Sequence, residues 1–183
     1  MKALKIVFII FSILVMFILS ALWYVGFLTK VTIEEKQAGG YIVAGEEFIG
    51  PYSKVGPTMN KVDSVLRIMN INCAQSFGIY YSNPNETPKE QCRSFVGNII
   101  ELKDTGRIIA IKDKGLKVDT ISSGQALVVE FPYKGKFSFM VGPLKVYPAF
   151  TKYMKEKNYK TSQSLEVYDI PNKKILFIMK YSK

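Results

Sequence analysis

Val55-Gly56-Pro57 and Val141-Gly142-Pro143 carry the same three letters, about 86 residues apart. Three letters are a short match, but the flanking sequence repeats with them. Upstream, Phe48-Ile49-Gly50-Pro51-Tyr52 is a turn-like break, paralleled by Phe131-Pro132-Tyr133-Lys134-Gly135-Lys136-Phe137. Before each break lies a β-prone run, Gly40 to Gly45 and Ala126 to Phe131. Downstream, Met59, Val62, Val65, Leu66 and Met69 recur at three- and four-residue spacing, which predicts an amphipathic helix with Pro57 in its first turn. Val146, Ala149, Phe150, Tyr153 and Met154 predict its counterpart, with Pro148 near the start. Ser164-Leu165-Glu166-Val167-Tyr168-Asp169-Ile170-Pro171 then echoes Phe77-Gly78-Ile79-Tyr80-Tyr81-Ser82-Asn83-Pro84. A last strand, Ile175 to Met179, matches Cys92 to Leu102.

Self-similarity of this kind predicts two copies of one β-α-β-β unit, at about 38–102 and 124–181. Neither copy can bury its sheet and helix alone. Packed about a pseudo-dyad they form an α+β body, one antiparallel sheet with two helices on one face. Between the copies, Ile108, Ile109 and Ile111 of Gly106 to Gly115 fit either a strand or a short helix, and the reading taken is a short helix after Thr105.

The run Ile6 to Leu28 holds almost nothing polar except Ser12 and Ser20. As a helix it spans roughly 34 Å, enough to cross a bilayer core of ~30 Å. Trp23 and Tyr24 lie where amphipathic rings favour the membrane interface. The rival reading is a cleaved signal peptide, but the run is long for one and Leu19 is a poor −3 residue. The expectation is a single-pass anchor over 1–29 and a ligand-binding domain over 30–183. The small lysine bias places the N-terminus in the cytosol and the domain on the extracytoplasmic side.

Composition excludes several chemistries. The chain has no histidine, which removes Ser-His-Asp and Cys-His catalysis and His-ligated zinc. Its two cysteines, Cys73 and Cys92, cannot make a four-cysteine site. They could form one disulfide in an oxidising compartment, or remain two unpaired thiols, since spacing does not reveal whether the Cα atoms come close. No metal or cofactor is expected. Twenty-five Lys and Arg against 15 acids give a formal charge of +10. The lysines are scattered rather than clustered, so the expected partner is the bilayer and not nucleic acid.

Gly78-Ile79-Tyr80-Tyr81-Ser82-Asn83-Pro84, Pro88 through Cys92-Arg93, Val96-Gly97 and Leu165-Glu166-Val167-Tyr168, in this order, resemble the GyrI-like effector-binding superfamily. With Phe131-Pro132-Tyr133, Pro148-Ala149, Tyr153 and Lys155-Glu156 added, the chain is most similar to its membrane-anchored branch, which includes the testis-expressed ER-phagy receptor of animals. The chain stops at Lys183, without that receptor's long acidic tail, and carries no DNA-binding helix-turn-helix. The resemblance therefore implies a ligand domain on an anchor. It also implies a cleft between the two helices with an acid on the second-half strand, which by position is Glu166.

Read from the residues alone, Glu166 and Tyr168 share one strand face. Glu166 matches Ile79 in the repeat, and a carboxylate in an apolar position is costly if buried, unless it is paired or faces a ligand. The alternative is a solvent-facing or lysine-paired Glu166. Tyr81, Phe131, Tyr147, Tyr153 and Tyr168 could line the cleft, and aromatic walls around a carboxylate suit a lipophilic cation. Three functions remain open: small-molecule binding without catalysis, hydrolysis of small reactive molecules with Glu166 as general base, and a membrane receptor or scaffold for protein partners.

Overall fold

A computed structural model of the chain describes residues 2–182. The first element is helix α1, Lys2–Tyr24. Its span Lys5–Tyr24 is long and apolar enough to cross a membrane, and none of it is buried against the rest of the chain. The body follows as β1 (Glu34–Ala38), β2 (Tyr41–Ile49), α2 (Gly56–Ile68), β3 (Ser76–Tyr80) and β4 (Arg93–Ile100). The short helix α3 (Ile108–Asp113) leads to β5 (Lys117–Ile121), β6 (Gly124–Pro132), α4 (Ser138–Lys157), β7 (Lys160–Asp169) and β8 (Lys174–Ser182).

The eight strands form one antiparallel sheet in the order β1-β6-β8-β7-β3-β4-β2-β5. Exchanging β1 with β5, β2 with β6, β3 with β7 and β4 with β8 leaves that order unchanged when read backwards. This is the expected internal twofold, with its axis between β3 and β7. The repeating unit, however, is larger than β-α-β-β. Each half opens with an additional strand, and that strand is donated to the other half: β1 pairs with β6 and β5 pairs with β2. The two links that carry the exchange, Gly39-Gly40 and Ser122-Ser123, pass against each other. The Gly40 N–H donates to the Ile121 carbonyl at 2.7 Å. Gly39 has φ +104°, and a Cβ there would stand 2.3 Å from the Ser122 carbonyl oxygen, so only glycine fits this crossing. The sheet curls so that its two ends meet here.

Strand alternation divides the core in two. The inner face is closed by Val43, Phe77, Ile79, Phe95, Val128, Leu165, Val167 and Ile178. On the outer face, α2 buries Val62 and Leu66 over Ala44 and Ile100, joined by Ile111 of α3. Helix α4 buries Val141, Val146, Phe150 and Met154 over Leu127, Val129, Phe131 and Phe177. Truncating one such fully buried side chain, Leu66 or Phe150 to alanine, removes about 2–5 kcal/mol.

The repeated Val-Gly-Pro letters do not occupy equivalent helix positions. Gly56 and Pro57 open α2, whereas α4 starts earlier, at Ser138, and holds both Pro143 and Pro148 inside. An interior proline costs about 3 kcal/mol. Here tertiary packing outweighs it: Gly142 lies so close to β8 that a Cβ would stand 2.7 Å from the Phe177 ring. Cys73 and Cys92 are both unpaired thiols, the second of the two alternatives left open by the sequence.

Candidate functional site

Helix α2 packs on β2 and β4, and α4 packs on β6 and β8. The central pair β3 and β7 therefore forms the floor between the helices. Its register sets Gly78 opposite Glu166, with Ser76 opposite Tyr168 and Tyr80 opposite Ser164. Gly78 and Glu166 thus face each other across the twofold axis. The true counterpart of Glu166 is Gly78, not Ile79, which points into the inner core with Phe77. The offset between β3 and β7 is one residue larger than the letter alignment suggests, and one residue moves a strand position to the opposite face.

Glu166 is buried at 5% exposure. Its Oε1 accepts a hydrogen bond from the Tyr147 hydroxyl at 2.6 Å, and Oε2 accepts one from the Tyr168 hydroxyl at 2.9 Å. The Tyr168 hydroxyl lies 2.7 Å from that of Tyr80. With the Tyr168 proton directed at the carboxylate, Tyr80 is the donor of that second bond. Tyr80 leans over Gly78, where a Cβ would stand 2.8 Å from its hydroxyl oxygen. Behind it, the Tyr52 ring sits edge-on at 4.7 Å, fixed through its hydroxyl to the Ser82 backbone. Phe139 at the start of α4 stands edge-on to Tyr168 at 5.5 Å.

Burial pushes the Glu166 carboxyl up to about 7, against a smaller downward pull from the Tyr147 and Tyr168 hydroxyls. No Lys or Arg is among the groups that set it. The surrounding phenols shift upward too, Tyr80, Tyr147 and Tyr168 each chiefly by burial and then by the neighbouring carboxylate. Asp169 is the other buried carboxylate, and it is held by amide donors of Gln75 and Asn172. Glu166 differs in being held by phenols alone.

Of the residues singled out from sequence, the structure brings Glu166, Tyr147 and Tyr168 together. Phe131 is core beneath α4, edge-on to Phe177 at 6.3 Å. Tyr153 donates to Glu35 of β1 at 3.0 Å, in a separate cluster with Tyr159 and Tyr181. Tyr81 is 44% exposed and bonds through its N–H to the Arg93 carbonyl, away from Glu166. Gly78, Tyr80, Tyr52 and Phe139 were not anticipated. A signal for two of them exists, because Ser76-Phe77-Gly78-Ile79-Tyr80 and Ser164-Leu165-Glu166-Val167-Tyr168 share Ser-apolar-X-apolar-Tyr. Among the described residues, no group of His, Cys, Asp and Glu could hold a metal.

No protein-family model matches the chain. It is 28% identical over 152 residues to the testis-expressed protein 264 homolog of Mus musculus, covering 79% of this chain and 48% of that protein. It is 31% identical over 99 residues to testis-expressed protein 264 of Homo sapiens, covering 51% of this chain and 32% of that one. The chain thus matches about half or less of the length of these relatives. Among solved structures, the EcmrR C-terminal domain superposes with a TM-score of 0.54 at 13% identity, covering 84% of this chain and 98% of that one. EcmrR in its complex with DNA gives a TM-score of 0.58 at 16% identity, covering 84% and 58%. These likenesses are of fold alone, an α+β body.

Proposed function

We propose that this chain is a binding module tethered to a membrane by α1, which captures a small lipophilic cation between α2 and α4 without catalysis. The observation that carries this reading is Glu166, a buried carboxylate on the twofold axis that hydrogen-bonds to tyrosines and draws on no basic side chain. Burying an ionised carboxylate without a counter-charge is expensive, and a cationic ligand supplies that charge. Tyr80, Tyr147 and Tyr168 offer ring faces to the same cation. Tyr147 is only partly buried and stands on a helix rather than on the sheet, so it is the ring that yields when a ligand enters. The tether reading rests on the length and apolarity of Lys5–Tyr24 and on its lack of burial in the body.

The test is a thermal-shift screen of the detergent-solubilised chain with tetraphenylphosphonium, quaternary ammonium amphiphiles and neutral aromatics of matched size. The expected result is a rise in Tm with the cations, absent in Glu166→Gln. Equal shifts in Glu166→Gln, or shifts with neutral aromatics alone, contradict the assignment. A second reading, hydrolysis of small electrophiles, draws on one feature: a carboxyl poised near 7 suits a general base. Turnover of an activated ester that disappears in Glu166→Gln would favour it over simple binding.

A further inference from the structure

Outside α1, one short segment concentrates exposed apolar side chains. Phe137, Phe139, Met140 and Leu144 are 61%, 43%, 57% and 62% exposed at the start of α4. Phe137, Met140 and Leu144 recur at three- and four-residue spacing and form one stripe, with exposed Lys136 beside it. The chain leaving α1 lies against the same segment. Lys134 donates to the Trp23 carbonyl at 3.3 Å and stands over the Trp23 ring at 5.0 Å. Lys145 donates to the Phe27 and Thr29 carbonyls and stands over the Phe27 ring at 5.8 Å. The two lysines that hold the end of α1 therefore bracket the apolar stripe.

We infer that the first turns of α4 are a second membrane contact, inserting Phe137, Met140 and Leu144 into the interface of the bilayer that α1 enters. The inference rests on the tether reading of α1. An amphipathic helical face with Phe, Leu and Met beside Lys binds in the interfacial plane, with lysines near anionic headgroups. The membrane is the occupant the geometry selects, because Trp23, Tyr24, Phe27 and Leu28 at the end of α1 are themselves exposed apolar groups beside this stripe. Docking in this way lays the body on the bilayer. It also brings Phe139, the ring against Tyr168, close to the lipid surface.

The chain has one tryptophan, Trp23, which makes lipid contact readable. The full chain is reconstituted in nanodiscs of phosphatidylcholine and phosphatidylserine with brominated acyl chains. Three proteins are compared: the unaltered chain, Trp23→Phe with Phe137→Trp, and Trp23→Phe with Lys155→Trp. Lys155 is exposed on the same helix, about 27 Å from Phe137 along its axis. The expected result is at least twofold quenching at 137, comparable with Trp23, and none at 155. Quenching at Trp23 without quenching at 137 overturns the docking and leaves the tether standing. That is also the outcome if a protein partner is what covers this face. Absence of quenching at Trp23 overturns the tether reading itself. Equal quenching at 137 and 155 signals general adsorption and overturns the docking as well.

Discussion

The hydroxyls of Tyr80 and Tyr168, twofold mates contributed one by each half of the chain, meet at 2.7 Å. The meeting is asymmetric because the position on the axis is Glu166 in one half and Gly78 in the other. A carboxylate on both strands would bring two like charges together, and a glycine on both would leave one of the two phenol protons without its acceptor. One of each yields a chain of donors, Tyr80 to Tyr168 to Glu166, that ends on a single buried charge.

That charge makes stability depend on pH. Glu166 has a folded-state value of about 7 against an ordinary 4.5. A raised carboxyl contributes stability that is fully present below 4.5 and is lost as pH rises through 7. The loss is on the order of 3 kcal/mol for the ligand-free chain. Urea unfolding at pH 5 and pH 8 should show it, and Glu166→Gln should flatten the difference while raising stability at pH 8.

Gly78→Ala would place a methyl group where the Tyr80 hydroxyl now lies. The ring must move, and the bond to Tyr168 goes with it. The expected cost is about 1–2 kcal/mol, and it should shrink in a Tyr80→Val background, where the space is vacant. A double-mutant cycle in urea measures the coupling.

Glu35 ties the donated strand β1 to the second half through the hydroxyls of Tyr153, Tyr159 and Tyr181. Those bonds, led by Tyr181 and then Tyr153, hold its carboxyl below the ordinary range. Glu35→Ala should accelerate amide exchange across Glu34–Ala38 while the register of β7 with β3 stays protected. Hydrogen exchange read by mass spectrometry separates the two.

The thiols give a fourth check. Burial is the main cause of a Cys73 value pushed up to about 11, and Cys92 is buried at 1% exposure. Native protein at pH 8 should react slowly with iodoacetamide at both positions, and fast at both in guanidinium.

The twofold was legible because its signals are local: apolar spacing in α2 and α4, β-prone runs, and breaks at glycine and proline. The donated strands were not, because β1 and β5 read as Glu-Glu-Lys-Gln-Ala and Lys-Val-Asp-Thr-Ile, edge strands with weak alternation. Which half a strand joins is decided by the crossing at Gly39, a contact distant in sequence. Glu166 was legible as an acid breaking an apolar pattern. Tyr80 was missed in favour of Tyr81 because the repeat was aligned one residue short, and adjacent strand residues face opposite ways. The start of α4 was missed because Pro148 was read as lying near the helix beginning, whereas Gly142 against Phe177 and buried Val141 carry the helix back to Ser138.

The ionisation of Glu166 itself is the most direct test of the proposed cation receptor. Carboxyl carbon-13 NMR of the glutamate-labelled chain, with Glu166→Gln for assignment, should show a resonance titrating near 7 without ligand. With saturating tetraphenylphosphonium it should move below the ordinary glutamate range, because a cation beside the carboxylate favours its charged form. A Glu166 that titrates identically with and without the cation would contradict the account.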